Sequence, residues 1–404
     1  MSTSQLYHSF GIRGYRQVSA RWEGGCEYIR IEQPREQLRC PCCGTAEVTA
    51  RGSTPRVFRT LPIGSRPVFI EFDVPRVACK ECGIVRQVIV PFAAPQRTFT
   101  KAFQRYVLEL CQYMTIQDVA RHLGVGWDLV KDIQKQHLRT HYSTPRLKGL
   151  THIAIDEICI GKGHRYLTIV LDLKTGAIVF VGKGKDAKAL NPFWRRLRSS
   201  AAKIAAVAID MSRAYISAVL KNLPKSALVF DRFHVLKLFN EKLTALRRQL
   251  YREATDNLQK SVLKGTRWLL LKNWENLDDD RNEKERLNDA LRLNESLAIA
   301  YYLKDLLRQF WEQPGKISAE LLLGDWIYIA EASGVRILQQ FAKTLQSHRA
   351  GLLAWFDHRI STGPLEGTNN KIRTMQRQAY GYRDQEFFQL KLFALHEAKI
   401  ALVG

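Results

Sequence analysis

Short runs of apolar residues, many of them β-branched, dominate the middle of the chain. Five such runs occupy residues 153–160, 166–173, 177–181, 204–209 and 226–230. The first three are separated by a Gly-Lys-Gly-His turn and a Lys-Thr-Gly turn, which predicts a three-stranded meander. The last two predict further strands, with a helix at 213–220 between them.

Acidic residues interrupt or end these predicted strands. Asp156 lies within the first run, and Asp210 directly follows the fourth. A lone carboxylate in a buried strand is costly unless it is paired or holds a metal ion. One acid at a solvated strand end needs no special role, but its recurrence on a second strand favours a site for a hard cation. The fifth run ends in Asp231, and His234 follows three residues later.

The chain between residues 236 and about 346 has apolar positions at spacings of three and four, which predicts helices. The predicted helices span residues 241–256, 258–274, 281–289, 297–311, 319–332 and 335–345. They form an α-helical insertion between the strands and the C-terminal part of the chain.

A last helix is predicted to begin near Pro364, which suits the first helical position. Glu366 lies in its first turn, and steps of three, four and four lead to Asn369, Arg373 and Arg377 on the same helix face. A solvated first turn would explain Glu366 alone. A metal-binding acid followed by phosphate-holding arginines explains the whole face.

The N-terminal part contains two Cys-x2-Cys-Gly motifs. Their cysteines are Cys40, Cys43, Cys79 and Cys82. The segment between them alternates at 57–61 and 68–77 around Gly-Ser, which predicts a hairpin. Four thiolates in a closed shell predict one structural Zn²⁺. Cys42 is an alternative ligand to Cys43, and four unligated reduced thiols are the alternative to any metal.

Residues 115–133 predict two short helices joined by a tight turn at Gly124, the pattern of a helix-turn-helix. A generic helical hairpin would give a similar pattern. The second helix is predicted to start near Trp127 and to present its polar side chains to a DNA groove, with two residues of the first helix near phosphates. The candidate DNA-binding residues are Trp127, Asp128, Lys131, Gln134, Lys135, Arg121 and His122.

Charge narrows the class of partner. The 404 residues include 62 Lys and Arg against 39 Asp and Glu, a formal net charge of +23 spread along the chain. A distributed basic excess on a folded chain favours a polyanion, and nucleic acid in particular, although a merely basic enzyme would have the same charge. No run approaches the roughly 18 apolar residues of a membrane span, so we expect an intracellular protein without a membrane partner.

The combination and order of these motifs resemble the DDE transposases of bacterial insertion sequences, and among them the ISL-three family. The resemblance covers nearly the whole chain, from the two cysteine motifs through the predicted helix-turn-helix to Ile-Ala-Ile-Asp-Glu, Ala-Ile-Asp-Met-Ser, Asp-Arg-Phe-His and Gly-Pro-Leu-Glu-Gly. It implies an α/β multidomain fold with a ribonuclease-H-like mixed-sheet core that is interrupted by an all-α insertion. The implied domains are a zinc-binding, DNA-binding module at 1–95, a helix-turn-helix domain at 96–147, the first part of the core at 148–238, the insertion at 239–346 and the C-terminal part of the core at 347–404.

The resemblance also implies the chemistry. Asp156, Asp210 and Glu366 are the implied catalytic acids, with Asp231 and His234 as accessory residues. Three convergent carboxylates suit Mg²⁺ or Mn²⁺, which support hydrolysis and transesterification of phosphodiesters. The expected activity is cleavage and transfer of element ends by a homo-oligomer, a dimer on double-stranded DNA, in the bacterial cytoplasm at the nucleoid. A non-catalytic DNA-binding regulator and a structure-selective nuclease are the alternatives.

Overall fold

The computed structural model describes residues 5–161 and 165–397, so most of the predicted Gly-Lys-Gly-His turn lies outside the described residues. The chain has a mixed α/β fold that divides into two compact units. Within the described ranges, the first unit comprises residues 5–143 and 378–383, and the second comprises 144–377 and 384–397.

The two units contain ten strands and fifteen α-helices among the described residues. The strands are β1 Arg16–Glu23, β2 Cys26–Glu32, β3 Val48–Ile63, β4 Arg66–Cys79, β5 Val85–Gln87, β6 His152–Gly161, β7 Arg165–Asp172, β8 Ile178–Lys183, β9 Ala206–Ile209 and β10 Ala227–Phe230. The helices are α1 Gln5–Phe10, α2 Lys101–Leu110, α3 Ile116–Leu123, α4 Trp127–Tyr142, α5 Asn191–Arg198, α6 Arg213–Asn222, α7 Arg232–Glu253, α8 Asn257–Gly265, α9 Glu283–Arg292, α10 Glu295–Gln309, α11 Lys316–Ala332, α12 Arg336–Ser347, α13 Arg349–Asp357, α14 Gly363–Gln378 and α15 Gln385–Phe393.

The first unit is built on a sheet of order β1-β2-β4-β3, with β5 also paired to β4. The predicted hairpin is its antiparallel β3–β4 pair, whose strands are longer than the sequence pattern indicated. β2 pairs with β4 in parallel, so the sheet is mixed. Alternate side chains of β4, including Val68, Ile70 and Phe72, are buried in the core because successive residues of a strand face opposite sides.

The predicted helix-turn-helix is formed by α3 and α4. The Thr115 hydroxyl caps α3 by accepting a hydrogen bond from the Asp118 N–H, and Gly124 ends the helix at a φ of 63°, where glycine carries no steric penalty. Val119, Val130 and Ile133 are fully buried between the helices.

Arg59 connects this helical pair to the β3–β4 hairpin. Its backbone exchanges hydrogen bonds with Thr98 and Thr100, and its guanidinium donates to the Leu123 carbonyl at 3.2 Å. The hairpin and the helices retain separate hydrophobic clusters but belong to one unit.

The second unit contains a five-stranded sheet of order β10-β9-β6-β7-β8. β6, β7 and β8 form the predicted antiparallel meander. β9 pairs with β6 in parallel, and β10 pairs with β9 in parallel. The first strand of the meander is therefore central, with both neighbours hydrogen bonded to it.

From α7 to α13 the chain is mainly helical and contains no strand, as the apolar spacing predicted. Two helix limits differ most from the prediction. α7 begins at Arg232, nine residues before the predicted start. The helix predicted at 258–274 ends at Gly265, and a short 3-10 helix at Leu269–Leu271 follows. Thr266 stabilises this end, because its buried hydroxyl donates to the Leu263 carbonyl at 3.1 Å.

The sheet and the helices that follow it share one hydrophobic core, which extends from Leu147, just before β6, to Leu353 on α13. α13 packs closely on β10. A Cβ on Gly351 would lie 2.3 Å from the Phe230 ring, so only glycine permits this approach. The contact brings the chain back to the sheet edge just before α14. None of the helices among the described residues is long and apolar enough to span a membrane.

Candidate functional site

Asp156 and Asp210 come from neighbouring parallel strands. Ala154 on β6 is in register with Ala208 on β9, so each acid lies two residues beyond this pair. Asp156 is half-buried and accepts a hydrogen bond from the Glu157 N–H at 2.8 Å. Burial raises the pKa of Asp156, and the negative charge of Asp210 raises it further. A half-buried carboxylate with a second carboxylate beside it forms a site that a cation would stabilise.

Glu157 is a further carboxylate beside this pair, which the sequence pattern did not single out. Burial raises its pKa, and the charge of Asp210 raises it further. Opposite Glu157 on β7, the buried Thr168 hydroxyl donates to the Gly184 carbonyl at 2.9 Å and lies 3.1 Å from the Tyr215 hydroxyl. Strand alternation puts Glu157 and Asp156 on opposite faces, so sequence reasoning had no signal for a second acid near Asp210.

Asp231 is completely buried at the N-terminus of α7. Its carboxylate accepts hydrogen bonds from the backbone N–H groups of Phe233 and His234, at 3.1 and 3.4 Å, and from Thr362 at 3.0 Å. Burial alone would raise the pKa of Asp231, but the His234 side chain and the contact with Thr362 lower it. With its lone pairs occupied by the protein, Asp231 fixes the junction between α7 and the approach to α14.

α14 runs along β6. The Asn369 side chain is buried and donates from Nδ2 to Asp156 Oδ2 at 3.0 Å, and Gln376 Nε2 lies 3.3 Å from the Ile160 carbonyl oxygen. Glu366 precedes Asn369 by three residues, so it occupies the same face one turn nearer the N-terminus. Its side chain is exposed, as are those of Arg373 and Arg377.

The predicted acids are thus brought to one edge of the sheet but are not closely clustered. In the parts of the chain that the structure describes, only the four cysteines place three or more ligand atoms within 4.8 Å of one another. Hard oxygen donors of the kind that Mg²⁺ prefers are present at the Asp156–Asp210 pair.

The four predicted cysteines form a cluster of zinc-ligand geometry. The sulfur atoms of Cys40 and Cys82, and those of Cys43 and Cys79, lie 3.6 Å apart. Tetrahedral Zn²⁺ with bonds of about 2.3 Å requires sulfur atoms roughly 3.8 Å apart. Backbone N–H groups of Cys43 and Cys42 lower the pKa of Cys40 to about 6, which favours the thiolate. Cys42 is exposed and outside the cluster, which supports Cys40 and Cys43 as the first pair.

In the helix-turn-helix, α4 begins at Trp127 as predicted. The Trp127 side chain is exposed, and the Lys131 ammonium lies 5.2 Å from the centroid of the Trp127 ring. Arg121 and His122 are exposed on α3, and Lys135 is half-buried. The prediction that Gln134 is exposed is wrong, because only 8% of it is accessible. Gln134 follows the buried Ile133 on the inner side of α4. The buried surface of α4 is therefore wider than the stripe of apolar residues, and it includes Gln134.

Comparisons with known proteins agree with this arrangement. Three family models match the chain. An ISL3-type DDE model described as a transposase matches residues 153–392, a helix-turn-helix domain of transposase family ISL3 matches 88–138, and a zinc-finger of transposase IS204/IS1001/IS1096/IS1165 matches 36–82.

Whole-length relatives agree as well. The transposase for insertion sequence element IS1001 of Bordetella parapertussis is 32% identical over 390 residues, covering 95% of this chain and 96% of the relative. The transposase for element IS1557 of Mycobacterium tuberculosis is 30% identical over 408 residues, covering 94% and 91%. Among solved structures, a Drosophila P element transposase strand transfer complex is 12% identical with a TM-score of 0.34, covering 62% of this chain and 77% of that one, a similarity too low to support an argument. The family models and the relatives place the chain in the ISL3 family, and it is a DDE transposase of an insertion sequence.

Proposed function

We propose that Asp156, Asp210 and Glu366 together bind the divalent cations with which this transposase cuts and joins DNA. The observation that carries the proposal is the hydrogen bond from Asn369 to Asp156, at 3.0 Å, because it holds the helix bearing Glu366 against the strand bearing the first acid. Asp210 completes the set from the parallel neighbour of that strand.

The topology supports a ribonuclease-H-like core for the second unit. Its first strand is central in a mixed five-stranded sheet, and its fourth strand lies parallel beside the first. The first acid lies on the first strand, the second follows the fourth, and the third lies on a late helix. The helices from α7 to α12 then correspond to the insertion expected at 239–346, and their core is continuous with that of the sheet.

The residues around the acids have distinct tasks in this proposal. Bound Mg²⁺ or Mn²⁺ would activate a water molecule or a 3′-hydroxyl and stabilise the leaving oxygen of the phosphodiester. Asn369 orients Asp156 by donating to Oδ2 while the Glu157 N–H donates to Oδ1, which leaves one lone pair on each oxygen for a cation. Arg373 and Arg377 continue the exposed face of α14 beyond Asn369 and would hold the phosphates on either side of the scissile bond.

DNA recognition is divided between charge and base contacts in the first unit. α4 would enter a major groove with Trp127, Lys131 and Lys135, while Arg121 contacts phosphate. Gln134 is removed from this set by its burial. The structural zinc would hold the β-sheet module that extends the contact along the element end. The expected substrates are the terminal repeats of the element and its target DNA.

The decisive experiment separates chemistry from binding. Asp156→Asn, Asp210→Asn and Glu366→Gln should each abolish Mg²⁺-dependent cleavage of DNA that carries the element ends, while affinity for those ends changes less than about threefold. Asp280→Asn and Glu285→Gln, at exposed acids of the helical region, are matched controls and should cleave normally.

Other outcomes contradict parts of the proposal. A variant that retains full cleavage removes its residue from the catalytic set. Wild-type protein that binds ends but cleaves with neither Mg²⁺ nor Mn²⁺ is a regulator, and cleavage without joining of the 3′ end to target DNA indicates a nuclease.

A further inference from the structure

Helix α11 is apolar on two opposite faces, although only one of them packs inside the molecule. Its inner face is buried in the core through Ala319, Leu323, Trp326 and Ala330. On the outer face, Ile317, Leu321 and Tyr328 are 77%, 67% and 74% accessible. A helix that is apolar all round is normally buried on all sides.

The outer residues form a continuous stripe. Steps of four, three, four and four connect Ile317, Leu321, Gly324, Tyr328 and Ala332, the spacing of one helix face. Isolated exposed apolar residues are ordinary, whereas a contiguous apolar surface marks a contact site.

No contact within the chain and no backbone conformation requires glycine at position 324, the centre of the stripe. A Cβ at this position would meet nothing within 4 Å, and its φ is not in the left-handed region. Glycine inside a helix is less stable than alanine, so the position carries a cost without an internal benefit. A small residue at the centre of an exposed stripe allows a second helix to approach closely, because interaxial distance depends on the side chains at the crossing.

Charge argues against DNA as the occupant of this surface. α11 carries Glu320, Asp325 and Glu331 against a single lysine, Lys316, in a chain whose net charge is +23. Glu320 is paired with Arg349 at 2.7 Å, so the exposed Asp325 and Glu331 supply most of the negative charge, which is unfavourable for phosphates. Between two copies of the helix these acids would lie at the solvated rim, where water and salt screen their mutual repulsion, and the apolar stripe would form the centre.

We infer that the outer face of α11 is where a second copy of this chain docks, with the two α11 helices antiparallel about a two-fold axis near Gly324. The stripe is self-complementary about a point between residues 324 and 325, where Leu321 meets Tyr328 of the second copy and Ile317 meets Ala332. Such self-complementarity is what a two-fold interface requires.

The size of the surface fits the centre of such an interface. From Ile317 to Ala332 the stripe is about 22 Å long and roughly 10 Å wide, which is about a quarter of the ~800 Å² that each partner contributes to a standard interface. Neighbouring residues would supply the rest as a polar rim. This inference concerns self-association and does not depend on the assignment of the catalytic acids.

Sedimentation equilibrium of the full-length, zinc-loaded protein, free and bound to duplex element ends, tests the inference. Leu321→Glu combined with Tyr328→Glu should weaken the dimer at least 100-fold, while the melting temperature of the monomer, measured at a concentration below dimer formation, stays unchanged. Leu258→Glu, at an apolar residue of α8 that is 64% accessible, is the matched control and should leave the dimer intact.

Gly324→Ala gives a test that a folding defect cannot imitate. Alanine favours the helix, so the melting temperature of the monomer should rise, while the added methyl group separates the two helices and weakens the dimer at least tenfold. A wild-type protein that is monomeric both free and on DNA, or a dimer unaffected by these three stripe substitutions, overturns the inference.

Discussion

The imidazole of His234 lies 3.3 Å from Asp231, measured from Nδ1 to Oδ2, at the start of α7. The contact with Asp231 raises the pKa of His234, and the nearby charges of Asp156 and Asp210 raise it further, against the opposing effect of burial. Protonation of His234 therefore affects both the buried Asp231 carboxylate and the edge of the sheet that carries Asp156 and Asp210.

Stability should depend on pH through His234. A histidine with a raised pKa contributes stability that is fully present below its ordinary value of about 6.5 and is lost as pH rises through the folded value. The lowered pKa of Asp231 keeps its carboxylate ionised while His234 titrates. His234→Gln should therefore cost about 1–3 kcal/mol of unfolding free energy between pH 4.5 and 6 and clearly less above pH 8. Urea unfolding of both proteins across this range, without divalent cations, measures the difference; a constant gap would contradict the pairing.

Asp156→Asn should stabilise the metal-free protein while it removes activity. Ionised Asp156 is unfavourable in the fold because burial and Asp210 raise its pKa, so stability is lost as pH rises through the ordinary aspartate value. Asparagine retains the acceptor for Asn369 and loses the one for the Glu157 N–H, and we expect removal of the unfavourable charge to outweigh that loss. At pH 7.5 we expect a Tm about 2 °C higher, roughly 1 kcal/mol. Mg²⁺ should raise the Tm of the wild type but not that of the variant. Equal responses to Mg²⁺ in calorimetry would remove Asp156 from the cation site.

The zinc cluster should tolerate one cysteine substitution and not another. Cys79→Ser should lose the zinc and unfold the β-sheet of the first unit, because a structural zinc site supplies folding free energy directly. Cys42→Ser is the matched control, since Cys42 lies next to the cluster but outside it. Metal analysis should find one Zn²⁺ per chain in wild type and Cys42→Ser. Loss of zinc in the control, or its absence from freshly purified reduced wild type, would contradict the ligand set.

Substitutions of Lys131 and Gln134, one turn apart on α4, should have different effects on DNA-sequence preference. Lys131→Ala should lower the preference for element ends over random DNA by about 1–3 kcal/mol if it contacts a base edge. Gln134→Leu should leave that preference unchanged and raise stability slightly, because Gln134 Oε1 is buried and has no hydrogen-bond partner among the described residues. Arg373→Ala should weaken binding to all sequences and flatten its salt dependence. Competition titrations at several salt concentrations distinguish these outcomes, and a loss of preference in Gln134→Leu would show that its burial is relieved on DNA.

Local sequence signals predicted a large part of this structure. The meander, the α3–α4 pair and the four clustered cysteines follow from turn residues, capping residues and ligand spacing, all of which act within a few residues. The expectation that Asp156 and Asp210 share one site also rests on local signals, because each acid interrupts or ends an apolar strand.

Features that arise from tertiary packing were beyond such signals. The burial of Gln134 depends on what covers α4, and the proximity of Glu157 to Asp210 depends on how β6 and β9 are paired. The helix predicted at 258–274 ends early because a buried threonine cap at Thr266 outweighs the continuing apolar pattern. The outer stripe of α11 has the same spacing as a core face, so its exposure is visible only in the structure.

The bond between Asp231 and Thr362 has a consequence for how the protein can diversify. The two residues are 131 positions apart, yet the buried Asp231 carboxylate, just after β10, accepts a hydrogen bond from Thr362, just before α14. The entropy lost when a chain segment is closed between two fixed ends changes only slowly with the length of the segment. A change in the length of the helical segment between these residues should therefore cost little loop entropy, provided that the helix residues that share the core of the sheet are kept.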